Sequence, residues 1–284
     1  MDNTNQSFEP LIEYLCKCAP HTTKSQLAHK TSLVQYWEVE EGHRVLEIGC
    51  GQGDTTIALA HAVGISGHVI AIDKESPNYG TPTNLRDAHD AIGRSPLGKY
   101  VTFHTGANIL DGHWDFPARH FDLVVFSNCS WYMDEAQTLK LLFSRVRPWC
   151  KRLAFAEWYP VPQNERQFPH LLASILQSTI HSHWPESEMG NVTSLITSSS
   201  AKAMAKSTGW KVLKDQLTSS SIELEDGKEW EIAEALDMAD KIVRIEGRWS
   251  SLTINSISSQ ADILDLLANN GQLESLPSHV FLAE

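Results

Sequence analysis

A glycine-rich stretch between an apolar run and an amphipathic run is the first place in the sequence where chemistry can be expected. Gly49, Gly51 and Gly53 occupy alternate positions. They follow the apolar run 45–48 and precede the amphipathic run 57–63. This order indicates a buried strand, a tight turn and a helix, the first half of a βαβ unit. Because glycine lets a turn approach a ligand and a helix start offers unpaired N–H groups, the stretch predicts a site for a negative or polar ligand.

Two carboxylates accompany the glycines. Asp73 ends the next predicted strand, 68–73, and lies 20 positions after Gly53, about where a dinucleotide-type fold places the acid that binds ribose hydroxyls. Glu47 lies two positions before Gly49. The glycine spacing separates two cofactor classes, because nicotinamide and flavin enzymes carry G-x-G-x-x-G whereas these glycines alternate. A turn that only packs a helix on a strand requires neither carboxylate.

The pattern E-x-G-x-G-x-G with a later strand-end acid resembles motif I of the class I S-adenosylmethionine (SAM) dependent methyltransferases. The resemblance implies that residues 47–53 surround the methionine part and the ribose side of SAM, and that Asp73 binds the ribose hydroxyls. The residues expected to contact SAM are Glu47, Gly49, Cys50, Gly51, Gly53, Asp54, Asp73, Lys74, Ala107, Asn108, Asn128 and Cys129.

Two later loops extend the resemblance. The predicted third strand, 101–105, leads into a loop that holds the adenine in the family, and here Asn108 stands where an acid is common. Its side-chain oxygen can still accept from the adenine amino group. The predicted fourth strand, 121–127, is almost continuously apolar and ends at Asn128 and Cys129, which resembles motif IV. Ligands of open α/β sheets lie beyond the carboxyl ends of the strands, so this turn is expected to face the sulfonium and the acceptor.

The groups that act on the acceptor are less defined by sequence. SAM supplies an activated methyl group and the protein mainly aligns two molecules, so a general base is optional. The candidate bases are Glu157, at the end of the predicted fifth strand, and His181 and His183, with His170 and His104 behind them. Each histidine has a plain alternative as a solvated or packed side chain.

Aromatic residues are expected at the edges of the substrate pocket, where they bind flat ligands and favour a sulfonium through cation–π attraction. These residues are Trp131, Tyr132, Trp158 and Tyr159. For the two tryptophans a place in the core is an equal alternative.

The predicted fold is α/β: a doubly wound, seven-stranded, mostly parallel sheet of the Rossmann-like methyltransferase type, whose last strand is antiparallel beside the sixth. One domain is expected over 1–284. It comprises an N-terminal helical cap (1–41), a SAM-binding core (42–158), a helical lid insertion (159–207) and a C-terminal part of the sheet with two helices (208–284). Helices are predicted at 8–18, 25–37, 82–92, 134–146, 168–183, 198–207, 227–243 and 259–270. The last begins at Ser259 because Ser259 and Asp262 match the S-x-x-D capping pattern.

Composition narrows the partners. The formal net charge is −12 and no Lys/Arg cluster appears, which argues against nucleic acid and favours a small-molecule acceptor. The polar N-terminus has no signal-peptide pattern and no apolar run reaches membrane-spanning length. The five cysteines form no regular framework and no zinc pattern, so reduced thiols, no metal and a cytoplasmic location are expected.

The sequence therefore predicts a SAM-dependent methyltransferase that modifies an O, N or C atom of a small, natural-product-like acceptor in secondary metabolism. Two other classes stay open. One is a SAM-binding protein that catalyses a rearrangement or cyclisation without methylation. The other is a silent methyltransferase-like partner subunit. A nicotinamide oxidoreductase is disfavoured by the glycine spacing, and the sequence predicts no oligomeric state.

Overall fold

The computed structural model describes residues 9–185, 190–218, 224, 230–245 and 248–284. Within these residues seven strands form one sheet in the order β3-β2-β1-β4-β5-β7-β6. β7 runs antiparallel to both of its neighbours, and the other pairs are parallel. The predicted fold class is confirmed. The strands are β1 Arg44–Ile48, β2 His68–Ile72, β3 Val101–His104, β4 Phe121–Ser127, β5 Cys150–Trp158, β6 Val212–Leu217 and β7 Ser278–Ala283.

The strand order creates the cleft in which a ligand can lie. β1 pairs with β2 on one side and with β4 on the other, so the chain reverses its direction of winding between β1 and β4. The carboxyl ends of β1, β2, β4 and β5 therefore meet at one edge of the sheet. In open α/β sheets this switch point opens a crevice between the loops that follow the strands.

The described helices are α1 Glu9–Cys18, α2 Lys24–Tyr36, α3 Asp54–Val63, α4 Leu85–Arg94, α5 Ala136–Val146, α6 Phe168–His183, α7 Ser198–Ser207, α8 Glu231–Arg244 and α9 Ser251–Asn269. Two buried clusters cover the two faces of the sheet. Helices α1 to α4 contribute to one cluster, and α5 and α7 contribute to the other. Among the described helices, none is long and apolar enough to cross a membrane.

A third buried cluster lies away from the sheet. It consists of residues from α6, α8 and α9, and it includes Leu176, Met238 and Leu264, each almost completely buried. We call these three helices the helical layer. The segment 159–207 thus contributes α6 to this layer, whereas α7 packs against α5 and β6. The division of the chain into cap, core and lid remains a prediction.

Two predicted helix starts are wrong. α4 begins after Asn84, whose side-chain oxygen accepts from the N–H of Asp87, and not at Pro82. α9 begins at Ser251 and not at Ser259, because Ser250 caps it by accepting from the N–H of Thr253. A serine and an acid three residues apart inside a helix reproduce the capping pattern without capping. The predicted start of α8 at residue 227 lies outside the described residues.

Candidate functional site

The glycine turn after β1 is constrained by its backbone angles and by close packing against neighbouring residues. Gly49, Gly51 and Gly53 all have positive φ, at 73°, 51° and 93°. A Cβ atom at Gly49 would lie 2.6 Å from Cβ of Cys129, and one at Gly53 would lie 2.7 Å from Cδ1 of Ile92. A Cβ atom at Gly51 would meet nothing within 4 Å. Gly49 and Gly53 are therefore fixed by packing, whereas Gly51 borders open space at the mouth of the cleft.

Asp73 connects the turn after β1 with the loop after β2. Its Oδ2 accepts from the N–H of Gly51 (2.7 Å) and its Oδ1 accepts from the N–H of Glu75 (2.9 Å). Each carboxylate oxygen can accept more than one hydrogen bond, so both retain capacity for a hydroxyl group of a ligand. The position beside Gly51 suits the predicted contact with ribose.

Two imidazoles hold the glycine turn from outside. His89 of α4 donates from Nε2 to the carbonyl oxygen of Gly51 (2.7 Å), and His21 donates from Nε2 to that of Gln52 (3.1 Å). Thr22 donates from its hydroxyl to Asp54, the first residue of α3. Sequence reasoning missed these supports, because nothing in the local pattern connects them with residues 51–54.

Glu47 lies under the turn with 1% of its surface exposed. Its Oε2 accepts from the hydroxyl of Thr56 (2.6 Å). Burial raises the pKa of this carboxyl to about 8, while the Thr56 bond and the charge of Lys30 oppose the rise. Glu47 is thus a buried acid near the carboxyl end of β1, and burial favours its protonated form.

The predicted adenine loop is folded back on Asp73. The N–H of Ala107 donates to the backbone carbonyl of Asp73 (2.9 Å), and Asn108 accepts through Oδ1 from the N–H of Leu110 (2.9 Å). Asn108 is exposed, so its amide remains accessible beside the loop. Lys74 is also exposed, and its ammonium group lies 3.1 Å from Asp134.

The turn after β4 is the second wall of the cleft. Asn128 has a φ of 49° and donates its N–H to the carbonyl of Ala156 (2.8 Å). Cys129 donates from its thiol to the carbonyl of Ile48 (3.3 Å). Burial raises the pKa of the Cys129 and Cys50 thiols well above their usual range, so both stay neutral. This turn therefore touches the glycine turn directly.

Glu157, one of the candidate bases, holds this turn in place. Its Oε2 accepts from the N–H (2.9 Å) and hydroxyl (2.8 Å) of Ser130 and from the N–H of Trp131 (3.2 Å). Its Oε1 accepts from the N–H of Trp158 (2.9 Å). Burial raises the pKa of Glu157 and these hydrogen bonds oppose the rise. The carboxylate is engaged with the protein itself, which gives it a positioning role.

Of the four predicted pocket aromatics, the two tryptophans are buried, whereas the two tyrosines contact side chains of neighbouring elements. Trp131 is completely buried and donates from Nε1 to the carbonyl of Ile196 (3.1 Å), which makes it a core residue. Tyr132 donates from its hydroxyl to Glu231 of α8 (3.1 Å), and Tyr159 lies near His279. Trp158 is buried at the end of β5, in the cluster that covers one face of the sheet.

Trp158 lies between two imidazoles: His170, a candidate base, and His29, which the sequence did not single out. The ring of His29 stacks on it with centroids 6.1 Å apart, and the ring of His170 meets its edge at 5.1 Å. His170 accepts at Nδ1 from the N–H of Leu276 (2.9 Å), so its neutral form carries the proton on Nε2, which has no hydrogen-bond partner within the part of the chain that the structure describes. Burial lowers the pKa of both imidazoles to about 3. Both are therefore neutral groups beside Trp158.

The other candidate histidines lie differently. His181 is buried on α6, His183 on the same helix is exposed, and His104 meets the edge of Trp114 at 5.3 Å. Their spacing in sequence gave no means of separating them, because burial depends on how α6 packs.

The helical layer and its flanking segment are bonded to the cleft. Thr193 and Ser194 donate their N–H groups to the carbonyl of Trp131 (2.8 and 3.0 Å). Tyr79, in the loop after β2, donates from its hydroxyl to Asn191. Residues 191–194 are therefore bonded both to the turn after β4 and to the loop after β2.

The arrangement fits SAM. Gly51 leaves open space where a side chain would otherwise stand, and Asp73 has two carboxylate oxygens that suit a ribose. Nδ2 of Asn128 is a buried donor without a partner among the residues that the structure describes. In the described part of the chain, no group of three or more His, Cys, Asp or Glu side chains could hold a metal ion.

Comparison with known proteins gives concordant results. The sequence model of a methyltransferase domain family matches residues 45–151. A methyltransferase of Diaporthe leptostromiformis, phomM, is 26% identical over 160 residues, which cover 48% of this chain and 40% of the relative. The matched region thus spans about two fifths of the length of this curated relative.

Solved structures extend the likeness to nearly the whole chain. A cyclopropane-fatty-acyl-phospholipid synthase-like protein from Lactobacillus casei is 31% identical, with 92% of this chain and 90% of that chain covered and a TM-score of 0.78. The cyclase SpnF is similar in fold, at 12% identity and a TM-score of 0.53 over 90% of this chain and 79% of that chain. With the fold and the glycine turn, these matches show that the chain belongs to the class I SAM-dependent methyltransferase family.

Proposed function

We propose that the protein transfers the methyl group of SAM to an O, N or C atom of a small organic acceptor. The observation that carries this proposal is the direct contact of the two turns at the switch point. Gly49 approaches Cys129 so closely that a Cβ atom would lie 2.6 Å from the cysteine Cβ. A cofactor held by the first turn therefore presents its reactive end to the second turn and to the acceptor side beyond it.

On the cofactor side, the assigned roles follow from the groups available. Asp73 binds the ribose, Gly51 lets the backbone approach the ligand, and Asn108 borders the adenine. SAM, when bound, supplies a methyl group already activated by a sulfonium. Alignment of two reactants can contribute on the order of 7–11 kcal/mol, so the fixed positions of the two turns are the main contribution of the chain.

On the acceptor side, Trp158 and the two neutral imidazoles of His29 and His170 offer an apolar surface with hydrogen-bonding groups. His170 presents a buried N–H with no partner among the described residues, which favours an acceptor that carries an oxygen or nitrogen lone pair. The aromatic character of this side supports a natural-product-like acceptor. The net charge of −12 disfavours nucleic acid.

The protein also has five free cysteines, three of them near the cleft or in the sheet. Free thiols suit a reducing compartment, which supports a cytoplasmic location.

The test has two stages. The purified protein is titrated calorimetrically with SAM and with its demethylated product S-adenosylhomocysteine (SAH), and it is then incubated with SAM that carries a deuterated methyl group and a panel of small acceptors. We expect micromolar binding of both ligands and an acceptor product that contains the labelled methyl. A variant with both Glu47→Ala and Asp73→Ala is the negative control.

Other outcomes would count against methyl transfer. A product formed without the labelled methyl would indicate a rearrangement or cyclisation that uses SAM as a fixed cation. Failure of the wild-type protein to bind either ligand would favour a silent partner subunit.

A further inference from the structure

Lys30 is a buried cation on the side of α2 that faces the sheet. Lys30 is 5% exposed. It lies on the same helical stripe as the buried residues Leu27, Thr31 and Val34. The spacing 27, 30, 31 and 34 is that of a core-facing stripe, in which an apolar residue is expected at position 30. Lysine is rarely buried without a partner.

The described part of the protein provides only some of the hydrogen-bond partners that the Lys30 ammonium group can use. Its Nζ donates to Oδ1 of Asn128 (2.8 Å). No carboxylate in the described part of the chain lies within 4.0 Å of it, and no second hydrogen bond is formed there. An ammonium group has three N–H donors, so two remain for another acceptor. A buried charge that lacks an anionic partner is costly, which points to an anion that the ligand itself supplies.

The location of Lys30 identifies the kind of anion. Asn128 follows β4, and Glu47 lies near the end of the adjacent strand β1, where Ile48 pairs with Phe126. Lys30 and Glu47 are thus a buried base and a buried acid at the same switch point that do not form an ion pair with each other in the described structure. Among the described residues, Glu47 accepts one hydrogen bond, from Thr56. A ligand with one carboxylate and one ammonium group would provide a partner of opposite charge to each of the two side chains.

We propose that Lys30 binds the α-carboxylate at the methionine end of SAM and SAH, opposite Glu47, which takes the α-ammonium. This inference rests on the proposed binding of SAM and adds to it the residue that recognises the amino-acid part. A carboxylate on the methyl acceptor is the other anion that would fit beside Lys30. The cofactor is favoured because Asn128, which holds Lys30, adjoins Cys129, and Cys129 contacts the glycine turn.

The decisive experiment compares two ligands that differ in the amino-acid part. SAH carries the zwitterion, whereas 5′-methylthioadenosine has the adenosine and the sulfur without it. Both are titrated calorimetrically into wild-type protein and into Lys30→Met. We expect the variant to bind SAH about 10- to 100-fold more weakly, as for the loss of a buried charge-assisted hydrogen bond, and to bind methylthioadenosine with unchanged affinity.

Three further variants make the comparison specific. Lys24→Met, an exposed lysine on the same helix, is the matched control and should bind both ligands like wild type. Lys30→Arg keeps the charge and should recover part of the SAH affinity. Asn128→Asp places a carboxylate against Lys30, so it should weaken SAH selectively without leaving an unpaired buried charge, even if Lys30→Met folds poorly.

The outcomes separate the two proposals. Unchanged SAH affinity in Lys30→Met, or an equal loss for SAH and methylthioadenosine, would overturn the role of Lys30 while the methyltransferase function stands. Unchanged SAH affinity in folded Asn128→Asp would do the same. Failure of wild-type protein to bind SAH would instead overturn the proposed function.

Discussion

Glu157 accepts two hydrogen bonds from Ser130 through a single oxygen, one from the backbone N–H (2.9 Å) and one from the hydroxyl (2.8 Å). Glu157 is the penultimate residue of β5 and Ser130 lies in the turn after β4, so the pair ties the end of β5 to that turn. In each hydrogen bond that the structure describes at Glu157, its carboxyl group is the acceptor. This carboxyl group therefore fixes the position of the turn that contains Asn128 and Cys129.

Replacing Glu157 with glutamine should destabilise the protein. The amide NH₂ would face a donor where an oxygen now accepts, and each unsatisfied buried group costs about 1–3 kcal/mol. We expect Glu157→Gln to lower the free energy of unfolding by about 2–4 kcal/mol in urea titration and to weaken SAH binding. Glu165→Gln, at an exposed position, is the control. A stable variant that binds SAH normally but transfers no methyl would show that Glu157 acts as a base after all.

Alanine at Gly51 and at Gly49 should separate ligand binding from folding. Both glycines have positive φ, which costs an alanine about 1–2 kcal/mol. Gly49→Ala also clashes with Cys129, whereas Gly51→Ala enters open space. We expect Gly49→Ala to lose the fold, and Gly51→Ala to stay folded by circular dichroism with SAH affinity reduced at least about 10-fold, since its methyl would occupy ligand space. Normal SAH affinity in Gly51→Ala would place the ligand elsewhere.

Glu47 should make the ligand-free protein less stable as pH rises. Burial raises its pKa from 4.5 to about 8, so between these values the folded state holds a proton that the unfolded chain has released. The free energy of unfolding then falls with rising pH, by up to about 1.4 kcal/mol per pH unit. We expect a shallower fall for Glu47→Gln between pH 6.5 and 8, measured by urea unfolding. Parallel pH profiles for the two proteins would contradict this.

His170 should make the protein less stable as pH falls, which is the opposite of the effect expected from Glu47. Burial lowers its pKa from 6.5 to about 3, so below pH 6.5 the unfolded chain binds a proton that the folded state excludes. Stability is therefore present above pH 6.5 and is lost as pH falls, by about 2 kcal/mol at pH 5 for one such group.

The matched variant is His170→Asn, whose side-chain oxygen can still accept from Leu276. We expect it to lose less stability than wild type between pH 7 and pH 5, whereas His183→Asn, on the exposed side of the same helix, should follow wild type. An acid loss in His170→Asn as large as that of wild type would assign the effect to other groups.

Much of the fold could be predicted because its signals are local. The apolar runs and glycines that define β1, its turn and α3 lie within twenty residues, and the predicted bounds of α6 and α7 agree with the structure. The predicted start of α9 is wrong because Ser259 and Asp262 match the capping pattern inside the helix, whereas Ser250 provides the actual cap.

The site was less predictable because its groups meet over long distances along the chain. Lys30 and Asn128 are 98 residues apart, and His170 and Leu276 are 106 apart. A single sequence does not indicate which of such distant positions come into contact in the folded protein. The signal that was available for Lys30 was a charge on the apolar stripe of α2, and for Trp131 no sequence feature distinguished core from pocket.

The separate core of the helical layer has a consequence for how this enzyme family diversifies. Its buried residues come from α6, α8 and α9 and include none from the strands that carry the glycine turn and Asp73. Under the proposed function, variants with conservative substitutions in this layer should therefore keep their affinity for SAH while their range of acceptors changes.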